Sequence, residues 1–588
     1  TICAFLPLLM ITGMIGKFLT QFPIIVTLTL VSSLLEALVV LPVHLYEMKN
    51  VYNSEKKPEK KWYKKFLNGY GQILRFILRF RYIAVVVLFI VFAGSIFIAS
   101  SLRIVLFGDE NAKTVTAKME LAENTPIETT REISKILENH VINTLMPEDV
   151  ESIVTIVGRV IEDRRWIEKE EVAEFRLDLK DYDDKMMNKV KEALRKRVST
   201  IPEIVEFEFL KSTGGPPTGR AVDISVAGKD LDKLEKVGDE IVAFAKSIPG
   251  VVDLGGSVMS KINEIVVEPD FSRLEQTGVS LSSLAETIRS VTAGKYAGRY
   301  LNTDGKELKI WIRFDSSGTY TLDDIRGVPV RSADGKMFRV KDVAEIKEVQ
   351  SMARIRRRNR MREIKVGANV DYSKTTPVEV NQKLQERFGD INKEHPGMSV
   401  SFLGEFEEQQ QANRDIIMAF LVAFILIYII LGIQFNSVFQ PFIVMITLPL
   451  AFIGVAIGLW VSGLDLSMMA MISLVALAGI VVNDSIILVD FINNLSSVKD
   501  ERTRRDILVE AGTKRLRPIL LTTVTTVGGL VPMAIFATGS NKMWQPMAIT
   551  IIWGISFATI LTLFVIPVIY AVIDDIKKAV YRVFRKTA

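Results

Sequence analysis

Three polar side chains interrupt an otherwise apolar run of this sequence. They are Asn483, Asp484 and Ser485, inside Ser467–Asn494, SMMAMISLVALAGIVVNDSIILVDFINN. The run is long enough to cross a bilayer as a helix, which takes about 20 apolar residues. A carboxylate at that depth costs about 2.5–3.5 kcal/mol on insertion scales. Residues of that kind face other helices and handle protons, ions or substrate. The plainer reading is a neutral Asp484, hydrogen-bonded inside a bundle. The two polar neighbours favour the functional reading.

Composition says what must hold such a helix. The 588 residues are 49% hydrophobic and 24% charged. That is too apolar for a soluble protein and too charged for a bare bundle, so membrane helices must alternate with a large soluble domain. The net charge of +5 is small for this length and says little about nucleic acid. Cys3 is the single cysteine, so no intrachain disulfide is expected. His44, His140 and His395 lack metal-ligand spacing. No P-loop, HExxH or GxSxG motif is present. These features predict no cofactor, no metal site and no enzyme.

In chain order, Ile2–Leu19 reads as a membrane helix or its end, and Phe22–Leu45 as a second, with Glu36 inside it and Pro42 near its end. Met48–Arg81 is rich in lysine (Lys56, Lys57, Lys60, Lys61, Lys64, Lys65), and its apolar residues recur at helical spacing from Trp62 to Phe80. It reads as an amphipathic helix on the cytoplasmic membrane face. Tyr82–Leu102 is a third span, running outward. From about Arg103 to Arg414 the pattern is that of a soluble domain outside the cytoplasm. Its first part reads strand, helix, strand, strand, helix, strand, the split βαβ order. A second such unit begins at Val222 and is interrupted before it resumes at Glu363. The arginine run Arg354–Arg362 lacks interleaved aromatics, so a strand with solvated or paired arginines is preferred to a nucleic-acid contact. Lys211–Arg220 reads as a loop. Five more spans follow, and the basic residues between Ser496 and Arg517 place that loop in the cytoplasm.

Two segments of the chain match each other. FLPLLMITGMIGKFLTQFP, followed by a span ending LVVLPVHLY, answers GLVPMAIFATGSNKMWQPM, followed by a span ending LFVIPVIYA. Pro7 pairs with Pro532, Gly13 with Gly539, Pro23 with Pro546 and Pro42 with Pro567. Both copies cross in the same direction, the mark of two transporter halves related by an axis along the membrane normal. By this repeat, a helix equivalent to the Asn483–Asp484 helix is expected immediately before Thr1. The chain then reads as a little over half of a molecule that has lost its first spans.

The motifs FLPLLMITGMIGKF, RLEQTGVSLSSLAETIRS, GEFEEQQQANRDI, LGIQFNSVFQPFIVMITLPLAFIG, LAGIVVNDSIILVDFIN and KRLRPILLTTVTTVGGLVPMA resemble those of the resistance-nodulation-division (RND) proton-driven exporters. The resemblance covers nearly the whole chain. It implies a membrane α-helical bundle with α+β periplasmic porter subdomains of split βαβ type and an inserted docking subdomain. The implied layout is transmembrane helices 5–6 at 1–47, a cytoplasmic amphipathic linker at 48–81 and helix 7 at 82–102. Porter subdomains would occupy 113–265 and 363–405, around a docking subdomain at 266–362. Helices 8–12 would lie at 414–575 and a cytoplasmic tail at 576–588.

The resemblance also implies a proton relay in mid-membrane. Its aspartate pair belongs to the fourth helix, before Thr1. The partner cation of the tenth helix is replaced here by Asn483, followed by Asp484. An asparagine cannot neutralise a carboxylate, so the pairing stays open; titration of Asp484 itself is one resolution. Arg515 and Thr522 match relay-associated positions and share a helix face with Thr526. Asn483 shares a face with Ala476, Gly479 and Asp490, whose small residues suit close helix packing. The family further implies a homotrimer in the inner membrane, working with a periplasmic membrane-fusion adaptor and an outer-membrane channel. Small amphiphilic organic substrates are favoured. Metal export is the alternative, since heavy-metal members use porter-domain methionines and this chain has Met119, Met146, Met186, Met187 and Met259. A different class of reading is a split half-transporter acting only in assembly. On its own this polypeptide is expected not to pump.

Overall fold

The computed structural model of the protein describes residues 1–48, 61–106, 114–123, 125–144, 149–162, 165–180, 184–210, 219–256, 261–303, 305–312, 321–352, 355–372, 374–497, 503–537 and 539–587. Lys56, Lys57, Lys60, Met146, Met259, Arg354, Lys499, Arg502 and most of the Lys211–Arg220 loop lie outside them. The chain forms two compact units, Met259–Arg357 and the remainder.

Seven helices among the described residues are long and apolar enough to cross a membrane. They are Gly13–Glu47, Arg81–Ser101, Glu405–Phe435, Gln440–Ser462, Met468–Ser496, Arg504–Ile535 and Lys542–Ile576. The first stretch is more broken than the membrane helix, or end of one, expected for Ile2–Leu19. Ile2–Phe5 is one helical turn, Leu6–Met10 is a 3-10 segment, and the chain is extended at Ile11 and Thr12. Pro7 withholds a backbone donor there, and Gly13 takes a φ of +74°. Asp415 accepts from the Thr12 N–H at 2.9 Å and from its hydroxyl at 2.7 Å. The break is therefore tied to the Glu405–Phe435 helix.

Small residues set the closest helix approach. Gly454 and Gly458 lie under Trp553 of the C-terminal helix; a Cβ on Gly458 would overlap the indole ring. At the basic end the Lys61–Arg79 helix divides its apolar residues between two environments. Tyr70, Leu74 and Leu78 enter the bundle, and the Tyr70 hydroxyl donates to the Leu563 carbonyl at 2.8 Å. Trp62, Phe66, Ile73 and Phe76 stay exposed. Arg81 pairs with Asp575, and Arg504 with Asp574 at 2.6 Å, so the starts of two spans close on the end of the last.

The first sheet comprises β1 (Thr114–Leu121), β2 (Val150–Glu162), β3 (Arg165–Leu179) and β4 (Ile204–Leu210). Its order is β2-β3-β1-β4, antiparallel throughout. Helices Ile127–Thr144 and Asp184–Val198 supply Leu137, Val141, Val190 and Leu194 to its core. β2 and β3 run past Val150–Val157 and Glu174–Leu179, the segments whose pattern reads as strand. The added length pairs Arg159 with Glu168, and the Arg159 guanidinium stacks over Trp166 at 4.4 Å. The second sheet repeats the arrangement with β5 (Val222–Gly228), β6 (Val251–Gly256), β7 (Met361–Val370) and β8 (Ser399–Leu403) in the order β6-β7-β5-β8, and adds Arg356–Arg358 as a fifth strand beside β7. The Met259–Arg357 unit is inserted between β6 and β7. The arginine run is not one strand. Asn359 and Arg360 both take positive φ, +51° and +68°, and turn the chain between Arg356–Arg358 and β7.

Polar contacts join the two sheets. Arg195 holds Asp253 through two bonds of 2.8 and 2.9 Å. Asn369 donates to the Phe209 carbonyl at 2.9 Å. Arg220 reaches Glu206 at 2.6 Å and Glu208 at 2.7 Å. Burial alone would lower the proton affinity of that guanidinium; Glu208 and Glu206 outweigh it and hold Arg220 above its ordinary value. The Arg220 carbonyl accepts from Glu405 N–H at 3.1 Å. Gly404, with φ +67°, permits this, since a Cβ there would lie 2.5 Å from that carbonyl. One residue thus links both sheets to the Glu405–Phe435 helix.

Arg220→Met should leave Glu206 and Glu208 crowded without a counter-charge and destabilise the protein by about 3–5 kcal/mol. Adding Glu206→Gln and Glu208→Gln should recover most of it. Thermal unfolding of the purified variants checks this; an Arg220→Met protein melting with the wild type would contradict it.

Candidate functional site

The Asp484 helix, Met468–Ser497, has no proline and a single glycine, and its residues are apolar on every side. A helix of that kind is buried or membrane-spanning. Its start is fixed by a short parallel pairing of Leu466–Ser467 with Ile104–Val105 and by a bond from Met468 N–H to the Leu106 carbonyl. Arg103 holds this corner, reaching Asp465 at 3.0 Å and the Tyr372 carbonyl at 2.6 Å. The helix carrying the carboxylate is therefore tied to the soluble part at its outer end.

Asp484 is 7% exposed. The Thr522 hydroxyl lies 3.4 Å from its Oδ1 and 2.8 Å from the Ile519 carbonyl. A hydroxyl has one proton to donate, and the shorter bond, to its own helix, is the stronger. Rotation about the side chain would hand the same proton to Asp484. Asp484 has no cationic partner among the described residues. It is a buried carboxyl whose nearest donor is a single hydroxyl.

The three adjacent polar residues do not form one cluster. Successive helix residues point about 100° apart. Ser485 turns toward the Gln440–Ser462 helix, 3.3 Å from Thr447 Oγ1 and 3.1 Å from the Val481 carbonyl. Asn483 is exposed. Arg515 does not reach Asp484. It lies two turns away along the Thr522 helix, with its guanidinium 4.5 Å from the Phe491 ring centroid and its Nε unpartnered among the described residues. Thr526 bonds back to the Thr522 carbonyl at 2.9 Å. Asp490 accepts from Asn494 at 3.1 Å. The small-residue face meets the first residues of the chain. A Cβ on Gly479 would lie 2.7 Å from Ala4 Cβ, and the Thr1 hydroxyl donates to the Gly479 carbonyl at 3.0 Å.

Sequence reasoning missed the hydroxyl pair beside this site. Thr523 and Thr559 are 2.8 Å apart and buried, joining the Thr522 helix to the C-terminal helix. The signal was the LLTTVTT run, read only for its Thr522 face. Met119 is fully buried and Met187 nearly so, both in the core of the first sheet with Met186 against it. Among the described residues no group of three His, Cys, Asp or Glu side chains converges to hold a metal.

The sequence profile described as the AcrB/AcrD/AcrF family matches residues 1–574. The swarming motility protein SwrC of Bacillus subtilis is 25% identical over 98% of this chain and 54% of its own length. The cobalt-zinc-cadmium resistance protein CzcA of Cupriavidus metallidurans is 27% identical over 59% of this chain and 33% of its own. The multidrug resistance protein MdtC of Pectobacterium carotovorum is 21% identical over 98% and 56%. A crystal structure of a heavy metal efflux pump superposes with a TM-score of 0.80 at 20% identity, over 98% of this chain and 56% of that one. The chain spans about half the length of the relatives it matches end to end. With its profile match across nearly every residue and its seven membrane-type helices, this chain belongs to the AcrB/AcrD/AcrF family of RND inner-membrane efflux transporters.

Proposed function

We propose that this chain is the C-terminal part of a proton/substrate antiporter that expels small amphiphilic compounds, with Asp484 exchanging the proton. The observation that carries this is a buried carboxyl without a counter-ion, inside a bundle tied to a soluble domain by Arg103 and Arg220. A proton supplied from outside removes the cost of the charge at that depth. The Thr522 hydroxyl is the switchable donor: to Ile519 when Asp484 is protonated, to Asp484 when it is ionised. Asn483 lies on an exposed face, where helices of the longer relatives would pack, and would donate to carboxylates there. Arg515 would set the field at the cytoplasmic end of the path.

The repeated strand order β2-β3-β1-β4 and β6-β7-β5-β8 supports two split βαβ porter subdomains. The Met259–Arg357 insertion would be the docking subdomain, facing a periplasmic adaptor and an outer-membrane channel. Its hairpin Lys295–Leu301/Glu307–Ile312 exposes Tyr300, Leu301, Trp311 and Ile312. An apolar hairpin of that kind is commonly covered by another chain, which supports a homotrimer.

The family relatives named for metals support a second reading, metal export. The methionines that would serve it weigh against it: Met119, Met186 and Met187 pack in a hydrocarbon core, where methionine is gap-filling.

In cells expressing the full-length protein, Asp484→Asn should abolish proton-driven efflux. Thr522→Ala should reduce it, and Thr522→Ser should restore it. Undiminished efflux by both Asp484→Asn and Thr522→Ala would remove these residues from the mechanism. Loss of the protein should raise accumulation of lipophilic dyes and leave tolerance to cobalt, zinc and cadmium unchanged; the reverse pattern would establish the metal reading.

A further inference from the structure

A second carboxyl lies at membrane depth, and the reading above does not use it. Glu36 sits inside the Gly13–Glu47 span, where every residue from Val31 to Glu47 is exposed and most are apolar. It has no hydrogen-bond or ionic partner among the described residues. A charge in such a segment costs about 2.5–3.5 kcal/mol on insertion scales.

Three further observations single it out. First, Glu36 stands at the head of a polar stripe. Thr29, Ser32, Ser33 and Glu36 fall within about 100° of one helix face. Thr29 bonds to the Ile25 carbonyl at 2.8 Å, while the Ser32 and Ser33 hydroxyls have no side-chain bond among the described residues. The stripe runs about 10 Å along the axis, at 1.5 Å per residue, on the outer side of Glu36. Second, the helix changes form at this residue. Glu36–Val40 is a π-turn, in which the Leu41 N–H returns to the Glu36 carbonyl five residues back. Turns of this kind are rare and concentrate at functional sites. Third, the other copy of the repeat lacks both features. With Pro42 matched to Pro567, Glu36 falls on Leu561, and that helix runs α-helical through its proline. The proline alone therefore does not impose the π-turn.

Measured from the start of its α-helix at Gln21, Glu36 lies about as far along the axis as Asp484 does along its own helix. It lies 15 residues into the Gln21–Val40 stretch, about 22 Å from its outer end. Asp484 lies 16 residues into its helix, about 24 Å from the same side. The elements packed against the Glu36 helix are Ile2–Phe5, Leu6–Met10 and Gly13–Leu19. Their only titratable side chains are Cys3 and Lys17, and neither bonds to Glu36; its own helix adds His44, Tyr46 and Glu47. Among the described residues no cation offsets the charge, and a proton is the ligand that would remove it.

We infer that Glu36 is a second proton-binding site, loaded from the extracytoplasmic side along the Thr29–Ser32–Ser33 hydroxyl stripe. The proton binds a carboxylate oxygen and leaves as a proton, with no other bond made or broken. This rests on the proton-driven reading of the chain but uses a different helix.

The test uses the full-length protein in proteoliposomes and a hydrophobic carbodiimide, which modifies protonated carboxyls in apolar surroundings. Peptide mass spectrometry should find Glu36 modified, less so as pH rises, and not in Glu36→Gln. Asp484→Asn should leave that modification in place, so failure at one carboxyl is separated from failure at the other. Proton-driven transport should fall about tenfold in Glu36→Gln and in Glu36→Leu, which carries the residue of the other repeat, equivalent to about 1.4 kcal/mol on the barrier. Glu36→Asp should retain it. Glu36→Leu removes a charge from a lipid-depth helix and should insert normally, so a fall in its transport is not a folding defect. Absence of modification at every pH, or wild-type transport by Glu36→Gln, would overturn the proposal.

Discussion

A carboxyl kept in hydrocarbon without a counter-ion is the constraint around which the rest of this protein is arranged. Asp484 is enclosed there by other helices, and on the reading proposed above a proton removes the cost of its charge. Enclosure requires close packing, and close packing requires small residues: Gly479 against Ala4, Gly454 and Gly458 against Trp553. Among the described residues Thr522 is the one hydroxyl bonded to the carboxyl, shared with a backbone carbonyl. A group of this kind has two settings, and the bundle around it has rigid contacts to both ends.

Those contacts give a change at Asp484 somewhere to go. At the outer end, the Asp484 helix begins at a corner held by Arg103, Asp465 and the Tyr372 carbonyl. Tyr372 in turn donates to Glu405, a fully buried carboxyl at the start of the Glu405–Phe435 helix. Glu405 N–H reaches the Arg220 carbonyl, and the Arg220 side chain crosses to Glu206 and Glu208 of the first sheet. At the inner end, Arg81 and Arg504 close on Asp575 and Asp574. Polar contacts with defined geometry transmit small displacements between rigid elements better than a greasy interface that can slide.

Much of this was legible in the sequence. The spans after Arg414 stood out because their apolar runs are long and their loops alternate in charge. The order of strands and helices around the two sheets follows period-two and period-3.6 patterns in the sequence, and the interruption of the second lies where that pattern breaks. The failures have physical causes. Pro7 and Gly13 marked a break that hydropathy alone reads as one span, and the Asp415 contact that fixes it is 403 residues away. The arginine run hid a turn at Asn359 and Arg360, because arginine gives no sign of positive φ. At the site, adjacency in sequence suggested a cluster of Asn483, Asp484 and Ser485. Helical rotation sends the three to different neighbours, and only Asp484 and Thr522 meet. Arg515 stacks on Phe491 because the two are offset by the same two turns from that contact.

The most direct measurement is isotope-edited infrared difference spectroscopy on the reconstituted full-length protein under an imposed proton gradient. The account predicts a protonated-carboxyl band that appears with the gradient and is lost in Asp484→Asn. A spectrum in which no such band appears, or in which it persists unchanged in Asp484→Asn, would contradict proton exchange at this residue.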